Sequence, residues 1–195
     1  MIWNGAYFAR TGAFARGSFS ASLSEFALFC NPKLLSLTPG CAERHYLNYY
    51  PMDEFMQAAI DEARQGRREG GIPIGSVLIR DGKIVARGHN KRVQEDNPIK
   101  HGEMDCLFNA GRQRTYRDTV IYTTLMPCYM CAGTIVQFKI PKVVVGESRT
   151  FGESREFLES HGVEVVDLNL DECVEMMQEF IEAEPTLWNE DIMEL

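Results

Sequence analysis

The chain has 195 residues, which is enough for one domain with a tail. Its hydrophobic content of 45% and charged content of 25% are ordinary for a globular protein, and no apolar run approaches the length of a membrane span. The net charge of −8 argues against a nucleic-acid partner, because binding to phosphates usually needs a basic face. Six scattered cysteines with one close pair indicate a reducing compartment rather than a disulfide framework.

Residues 1–51 differ in composition from the rest of the chain. They are rich in Phe, Ser, Ala and Gly and carry four basic and two acidic side chains, which leaves 16 basic and 26 acidic ones, a net charge of −10, for the remainder. Such a start is read as a mitochondrial transit peptide, as a stretch translated from an early start, or as a disordered tail, and two Arg in the first 24 residues favour the latter two. We expect a domain at 52–195 and a cytoplasmic location, or a mitochondrial one if 1–51 is a transit peptide.

Helices and strands alternate along the predicted domain. Helical spacing after Asp53 predicts a first helix that ends at Gly70-Gly71, and Asp81-Gly82 is typical of a hairpin turn. The other predicted elements are strands at 74–80, 83–87, 119–124, 142–145 and 163–166 and helices at 101–111, after Pro127, at 153–160, at 171–182 and after Pro185. A hairpin followed by this alternation predicts an α/β fold, a three-layer α/β/α sandwich around a five-stranded mixed sheet.

Two short motifs begin predicted helices: HGE at 101–103 and PCYMC at 127–131. Catalytic zinc is held by three protein ligands with a fourth position for water, and His101, Cys128 and Cys131 would supply such a set. Glu103 lies two residues after the histidine, where it is a natural general base for the water. The pattern H-x-E…P-C-x-x-C is the signature of zinc-dependent base and nucleoside deaminases, in which the Glu moves protons and is not a ligand.

The same motifs have alternative interpretations. A Cys-x-x-Cys pair is also typical of a redox pair, a structural zinc knuckle or two buried thiols. A structural zinc site would need a fourth protein ligand at regular spacing, and the sequence has no second Cys-x-x-Cys. A zinc-stabilised module without catalysis is the non-enzyme alternative. Glu103 argues against it, because a structural site needs no base beside its metal.

From about 52 to 195 the sequence resembles the cytosine deaminases of the yeast type, in the cytidine deaminase-like superfamily. The resemblance is carried by EGGIPIG at 69–75, GHN at 88–90, HGE at 101–103, TTL at 123–125, PC at 127–128, VVGE at 144–147, Trp188 and EDI at 190–192. It implies a homodimeric enzyme of pyrimidine salvage that converts cytosine to uracil and ammonia. It also implies one zinc ion per chain, held by His101, Cys128 and Cys131, with Glu103 as the proton shuttle.

The resemblance further implies a set of substrate contacts, which are Asn90, Gly102, Asp191, Ile74, Leu125, Phe151 and Trp188. Asn90 and the backbone of Gly102 would hold the ring carbonyl, and Asp191 would accept a hydrogen bond from the ring edge. Residues 186–195 would then form a lid over the base. The plainer alternatives are that Asn90 caps a turn, Asp191 is a solvated charge, and Phe151 and Trp188 only pack in the core.

Two positions depart from the pattern of the resemblance. Ser76 stands where Gly is expected and Met126 where a small polar residue is usual, and both are expected to flank the pocket. The substrate therefore has alternatives, namely guanine, isocytosine, creatinine, or an adenosine in transfer RNA. Transfer RNA adenosine deaminases are similar but typically carry Ala at the place of Gly102.

Overall fold

The computed structural model describes residues 53–194. The expected extension at 1–51 and the expected domain start at Met52 lie outside these residues. Within them the elements, in chain order, are α1 Glu54–Arg68, β1 Gly75–Arg80, β2 Lys83–His89, α2 Gly102–Ala110, β3 Thr119–Leu125, α3 Tyr129–Phe138, β4 Lys142–Glu147, α4 Arg155–Ser160, β5 Glu164–Asp167, α5 Asp171–Ala183 and α6 Pro185–Asp191. None of the helices in the described stretch is long and apolar enough to cross a membrane.

The strands form one mixed sheet in the order β2-β1-β3-β4-β5. β1 runs antiparallel to both β2 and β3, while β3, β4 and β5 are parallel to one another. The hairpin between β1 and β2 turns at Asp81 and Gly82, whose φ values of 50° and 67° are those of the predicted two-residue turn. The five-stranded mixed sheet expected from the sequence is therefore confirmed.

Alternate residues of the strands pack under helices on opposite faces of this sheet. One core contains Leu78, Ile121, Val143 and Val145 with buried residues of α2, α3 and α4. The other contains Val77, Ile79 and Val144 with buried residues of α1 and α5. Because successive side chains of a strand point to opposite faces, these two cores define the three layers.

A third apolar cluster joins the C-terminal helix to the rest of the domain. Trp188 of α6 is buried together with Ile72, Ile74, Leu125, Met177 and Phe180. These partners come from the segment before β1, the end of β3 and one side of α5. Helix α6 therefore packs where the segments that lead into and out of the sheet meet.

Several local predictions differ from the structure. β2 continues to His89 and β4 to Glu147, two residues beyond each prediction. The helical spacing of Met104, Leu107 and Phe108 predicts that all three face inward, but Phe108 is 73% exposed. The inward face of α2 instead carries Glu103, Cys106 and Leu107, at helical spacing. The inward face includes the buried carboxylate of Glu103. A pattern of apolar residues alone does not predict that a charged side chain lies on this face.

Candidate active site

Both metal-binding motifs lie at the N-termini of helices, as the sequence predicts. His101 is the N-cap residue of α2 and Cys128 that of α3, with φ of −71° at both and extended ψ of 167° and 170°. Neither side chain forms a capping hydrogen bond to its own helix, so His101 and Cys128 are free to contact each other. Unpaired N–H groups at a helix N-terminus favour negative charge, and this supports a thiolate at Cys128.

His101, Cys128 and Cys131 come together as one potential metal site. Their ligand atoms all lie within 4.8 Å of one another, and Cys128 Sγ is 3.5 Å from His101 Nδ1. Zinc bonds of about 2.0 Å to nitrogen and 2.3 Å to sulfur, at a tetrahedral angle, would place these two atoms about 3.5 Å apart. The spacing and the nitrogen–sulfur donor set therefore fit zinc, and these three residues could bind one ion.

The two thiols have different pKa values although they face the same histidine. A hydrogen bond from Cys131, opposed by burial and aided by His101, lowers the pKa of Cys128 to about 4. Hydrogen bonding to Cys128, together with burial, raises the pKa of Cys131. Burial acts to lower the pKa of His101, but Cys128 and Asp191 outweigh it and raise the pKa to about 9. Cys128 thus favours the thiolate, which is the form that binds a metal.

Glu103 lies beside the metal ligands and has almost no contact with bulk water. Its side chain is buried, and Thr123 Oγ1 donates a hydrogen bond to Glu103 Oε1 at 3.2 Å. Burial, followed by the negative charge of Cys128, raises the pKa of Glu103 to about 6. A carboxylate with a pKa close to neutrality can both accept and release a proton.

A cavity of about 320 Å³ opens in front of these groups. Of the residues predicted from the sequence, those that line it are Ile74, His101, Glu103, Leu125, Cys128, Phe151, Trp188 and Asp191. Cys131, Gly102 and Asn90 do not line it; Cys131 and Asn90 are fully buried behind the wall. The fold thus gathers most of the predicted site around one small space.

Asn90 and Asp191 meet across 101 positions of sequence. Asn90 Nδ2 lies 3.5 Å from Asp191 Oδ1, and Asn90 Oδ1 accepts a hydrogen bond from the Arg92 backbone at 3.0 Å. The Asp191 side chain is only 5% exposed and lies 3.5 Å from His101 Nε2. Burial raises the pKa of Asp191, while His101 and Asn90 act in the opposite direction. Asp191 is therefore not the solvated tail charge that the sequence left as an alternative.

Two aromatic rings lie together in the lining of the cavity. Phe151 and Trp188 meet edge to face, with ring centroids 6.4 Å apart and planes at 88°. Phe151 follows the buried Glu147, whose Oε2 accepts hydrogen bonds from the backbone of Arg149 and Thr150. Both rings lie at the cavity, so they are placed to contact a bound molecule as well as the core.

Sequence reasoning missed several residues of this site. Arg92 and Glu190 line the cavity and pair with each other, and Thr123 binds Glu103. Thr123 stood in a motif that carried the resemblance but had no role assigned to it. Arg92 follows the GHN motif by two positions, and nothing in its immediate neighbourhood indicates a partner near position 190.

The two departures from the resemblance differ in their placement. Met126 lines the cavity, as predicted, whereas Ser76 is buried on β1 opposite Thr123 and does not line it. Gly102 is closely packed, because a Cβ there would lie 2.8 Å from the carbonyl oxygen of Ile74. An alanine at this position would force the segment before β1 to move.

Comparison with known proteins agrees with this geometry. Residues 51–147 match the family described as the cytidine and deoxycytidylate deaminase zinc-binding region. The chain is 48% identical to a cytosine deaminase of Candida albicans over 142 residues, which cover 71% of this chain and 95% of that protein. The chain therefore belongs to this family of zinc-binding deaminases. It is a zinc-dependent hydrolytic deaminase, and the resemblance read from its sequence is confirmed.

Other relatives act on different bases. The chain is 35% identical to a tRNA-specific adenosine deaminase of Streptococcus pyogenes over 67% of this chain and 92% of that protein. A solved tRNA:A34 deaminase superposes with a TM-score of 0.58 at 28% identity, covering 63% of this chain and 98% of that one. The guanine deaminase of Nitrosomonas europaea superposes with a TM-score of 0.59 at 18% identity, over 77% and 97%, which shows a common fold.

Proposed function

We propose that this enzyme converts free cytosine and water to uracil and ammonia, as a step of pyrimidine salvage. The proposal rests on the small cavity in which two of the predicted metal ligands, a buried carboxylate and Asp191 face one space. A volume of about 320 Å³ is at the lower end for ligand pockets and suits a single heterocycle. The high identity to a cytosine deaminase supports cytosine among the possible bases.

His101, Cys128 and Cys131 hold the zinc ion in this proposal. With Nε2 of His101 facing Asp191, Nδ1 is the nitrogen left for the metal. When bound, zinc lowers the pKa of a water and makes it nucleophilic near neutral pH. A carboxylate beside the second nitrogen of a metal-binding histidine fixes the orientation of the ring and strengthens the ligand.

Glu103 carries out the proton transfers. It accepts a proton from the attacking water and delivers it to the ring nitrogen beside the reacting carbon, while the oxygen of the water bonds to that carbon. It then passes a proton from the new hydroxyl to the amino group, which leaves as ammonia. The hydrogen bond from Thr123 holds the carboxylate in place for both transfers.

We assign recognition of the polar edge of the base to Asp191, which lines the cavity, and to Asn90 and the backbone of Gly102, which lie outside that lining. The Arg92 backbone occupies Asn90 Oδ1, so the Asn90 amide presents its N–H₂ group beside Asp191 as a donor for the ring carbonyl. The backbone N–H of Gly102 is the second donor in this assignment. Asp191 accepts from a ring N–H, and its burial excludes the competing water that would weaken this contact.

The apolar walls of the cavity accommodate the faces of the ring. Ile74, Leu125, Phe151 and Trp188 line the cavity and belong to one apolar cluster. Flat aromatic and branched surfaces pack well against a planar heterocycle and hold it close to Glu103. Residues 186–195 therefore act as a lid, which must open to release the product.

Ammonia release across a panel of bases tests this proposal. Purified full-length protein with one zinc ion per chain should release ammonia from cytosine faster than from guanine, isocytosine or creatinine. Zinc content is measured on the same sample, so that an inactive preparation without metal is recognised. A zinc-loaded protein that prefers another base over cytosine would overturn the substrate assignment and leave the deaminase class unaffected.

Adenosine in transfer RNA is the second candidate substrate. A groove of about 660 Å³ is lined by Phe108, Phe138 and Tyr116, with the last two rings stacked at 4.9 Å, and by three exposed arginines, Arg112, Arg114 and Arg117. Aromatic rings beside basic side chains are typical of single-stranded nucleic-acid contacts. The acidic net charge of the chain therefore coexists with a local basic patch at this groove.

Gly102 favours the free base over transfer RNA. Transfer RNA adenosine deaminases typically carry Ala at this place, and the close approach of Ile74 leaves no room here for the Cβ of an alanine. We expect no inosine in a transfer RNA anticodon stem–loop incubated with the enzyme under conditions in which cytosine is consumed. Salt should have little effect on cytosine turnover, because no phosphate is bound. Robust inosine formation, abolished by replacing the three arginines of the groove with alanine, would support the second candidate instead.

We also propose that the enzyme is a cytoplasmic homodimer with an N-terminal extension at 1–51. The exposed rings of Phe108 and Phe138 are apolar surface that a second copy would cover. Light scattering after gel filtration should give twice the mass of one chain, and Phe108→Glu should shift the protein toward monomer. A monomer in the wild type at micromolar concentration would refute the dimer, and imaging of a tagged chain tests the location.

A further inference from the structure

Arg92 links two proposed substrate contacts that are far apart in sequence. It lies in the loop after β2, two residues beyond Asn90, and its side chain is 18% exposed. Its backbone N–H donates to Asn90 Oδ1, while its guanidinium points to the end of α6. One residue therefore contacts Asn90 with its main chain and the lid with its side chain.

The guanidinium binds the C-terminal end of α6 in three places. Arg92 Nη1 donates to the carboxylate of Glu190 at 3.2 Å, and Nη2 donates to the carbonyl oxygen of Glu190 at 3.2 Å. Arg92 Nε lies 3.8 Å from Asp191 Oδ1. The last carbonyls of a helix lack partners within it, and a positive charge is favourable at that end. The planar guanidinium therefore caps α6 and pairs with two successive acidic residues.

Helix α6 needs such support. Seven residues are too few to form a stable helix in water, because nucleation is costly and few hydrogen bonds repay it. Trp188 anchors the helix through its burial, but this apolar contact does not specify the position of the polar end. The polar side-chain contacts to that end within the described residues come from Arg92, Asn90 and His101, and Arg92 is the one among them that also binds the helix backbone.

We propose that Arg92 is a positioning residue that holds the lid helix in register with the Asn90 loop, and so sets the distance between the donor on Asn90 and the acceptor on Asp191. The proposal rests on the assignment of Asn90 and Asp191 as contacts to the base. Arg92 does not touch the reacting atoms, and it acts through these two side chains. Arg92 connects the helix that carries Asp191 to the loop that carries Asn90. A shift of α6 therefore changes the distance between the Asn90 donor and the Asp191 acceptor directly.

Three variants separate this role from general stability. Arg92→Ala removes the guanidinium but keeps the backbone N–H that orients Asn90. Arg92→Lys keeps the charge but cannot bridge the carboxylate and the carbonyl at once, since an ammonium lacks the planar fork. Arg64→Ala is the matched control, because Arg64 likewise joins two separate segments of the chain through an ion pair, with Glu172, and does not line the cavity.

Two measurements are made on full-length, zinc-loaded protein. Steady-state kinetics with cytosine give KM and kcat, and hydrogen–deuterium exchange reports the opening of peptides that cover residues 185–194. Zinc content and melting temperature are recorded for each variant. For Arg92→Ala we expect KM to rise about tenfold, the effect of losing a partly buried charge-assisted hydrogen bond, with kcat changed less than about threefold. Exchange in 185–194 should become about tenfold faster, and the rest of the domain should keep its protection.

Arg92→Lys should fall between wild type and Arg92→Ala in both measurements, and Arg64→Ala should match wild type in KM. Wild-type KM and exchange in Arg92→Ala would overturn the proposal. So would an equal rise of KM in Arg64→Ala with faster exchange throughout the domain, since that result would indicate general destabilisation. If wild-type enzyme released no ammonia from cytosine, the proposed substrate would fail, and unchanged exchange of 185–194 in Arg92→Ala would still refute the contact on its own.

Discussion

The metal end of the site and the lid end are built differently. His101 and Cys128 start two helices whose inner faces are packed against the sheet, and Glu103 and Cys131 are buried beside them. Asp191 and Trp188 belong to a seven-residue helix near the end of the chain, held by one apolar cluster and a few polar contacts. The groups proposed to perform the chemistry thus stand on helices packed against the sheet, whereas Asp191 and Trp188, two of the proposed contacts to the base, stand on a short helix that is proposed to open.

This difference predicts a separation of effects. Changes at the metal end should abolish turnover and leave the lid intact, whereas changes at the lid should weaken recognition and leave the metal bound. The variants below test that separation, beginning with the largest expected loss.

Removal of a metal ligand should have the greatest effect. Cys128→Ala and His101→Ala should lose the zinc ion and all measurable activity, because two protein ligands do not hold the metal. Zinc is measured by atomic emission and turnover by ammonia release. Cys173→Ala, which removes a buried thiol outside the site, should keep the full zinc content. A Cys128→Ala protein with one tightly bound zinc ion would exclude Cys128 as a ligand.

Glu103→Gln should be the next most severe change. The amide keeps the size and the burial of the side chain but cannot shuttle protons, so kcat should fall by about 10²- to 10⁴-fold with zinc and fold retained. Circular dichroism and zinc content check the second part. The exposed Glu156 supplies a control, and Glu156→Gln should turn over normally. Normal turnover by Glu103→Gln would refute the proposed mechanism.

Deletion of residues 186–195 tests the lid as a whole. Activity should drop sharply while the domain stays folded and zinc stays bound, although the melting temperature should decrease because Trp188 no longer covers Ile72 and Ile74. The affinity for zinc should fall about tenfold, so that a chelator removes the ion more easily, since His101 loses the carboxylate beside its Nε2. Undiminished activity in the deletion variant would leave the zinc chemistry in place and remove the lid from the mechanism.

Asp191→Ala is a narrower test of recognition. The loss of one buried hydrogen bond to a charged group should lower kcat/KM for cytosine by about 1.5–3 kcal/mol, equivalent to about 10- to 150-fold. Asn189→Ala, at an exposed position of the same helix, should have no such effect. If the two variants behaved alike, Asp191 would not be a contact to the base.

Removal of residues 1–51 should have the smallest effect. A protein that starts at Met52 should fold, bind zinc and deaminate like the full chain, because every residue of the proposed site lies beyond that point. The comparison uses kcat, KM and melting temperature of both forms. Loss of soluble protein on truncation would show that the segment is part of the folded domain.

The sequence alone determined the fold class, and it singled out the residues proposed here as metal ligands and general base. Strands and helices alternate with distinct periods, so the order of elements can be read from local patterns. His101 and Glu103 lie close together at the start of one helix and Cys128 and Cys131 at the start of another. The spacing within each pair therefore predicts a metal site with a base beside it. The one substantial error in side-chain orientation, at Phe108, arose where a buried carboxylate interrupted the apolar pattern of α2.

Only the tertiary structure decided which distant side chains meet. Asn90 approaches Asp191 across 101 positions and Arg92 reaches Glu190 across 98, and no local spacing predicts either pair. The burial of Asp191 likewise depends on where α6 packs. The sequence does not predict it, because the acidic neighbours of Asp191 are typical of a solvent-exposed tail. Short-range order follows from backbone geometry within a turn or a strand, whereas contacts of this kind depend on how whole elements pack, which is a property of the complete fold.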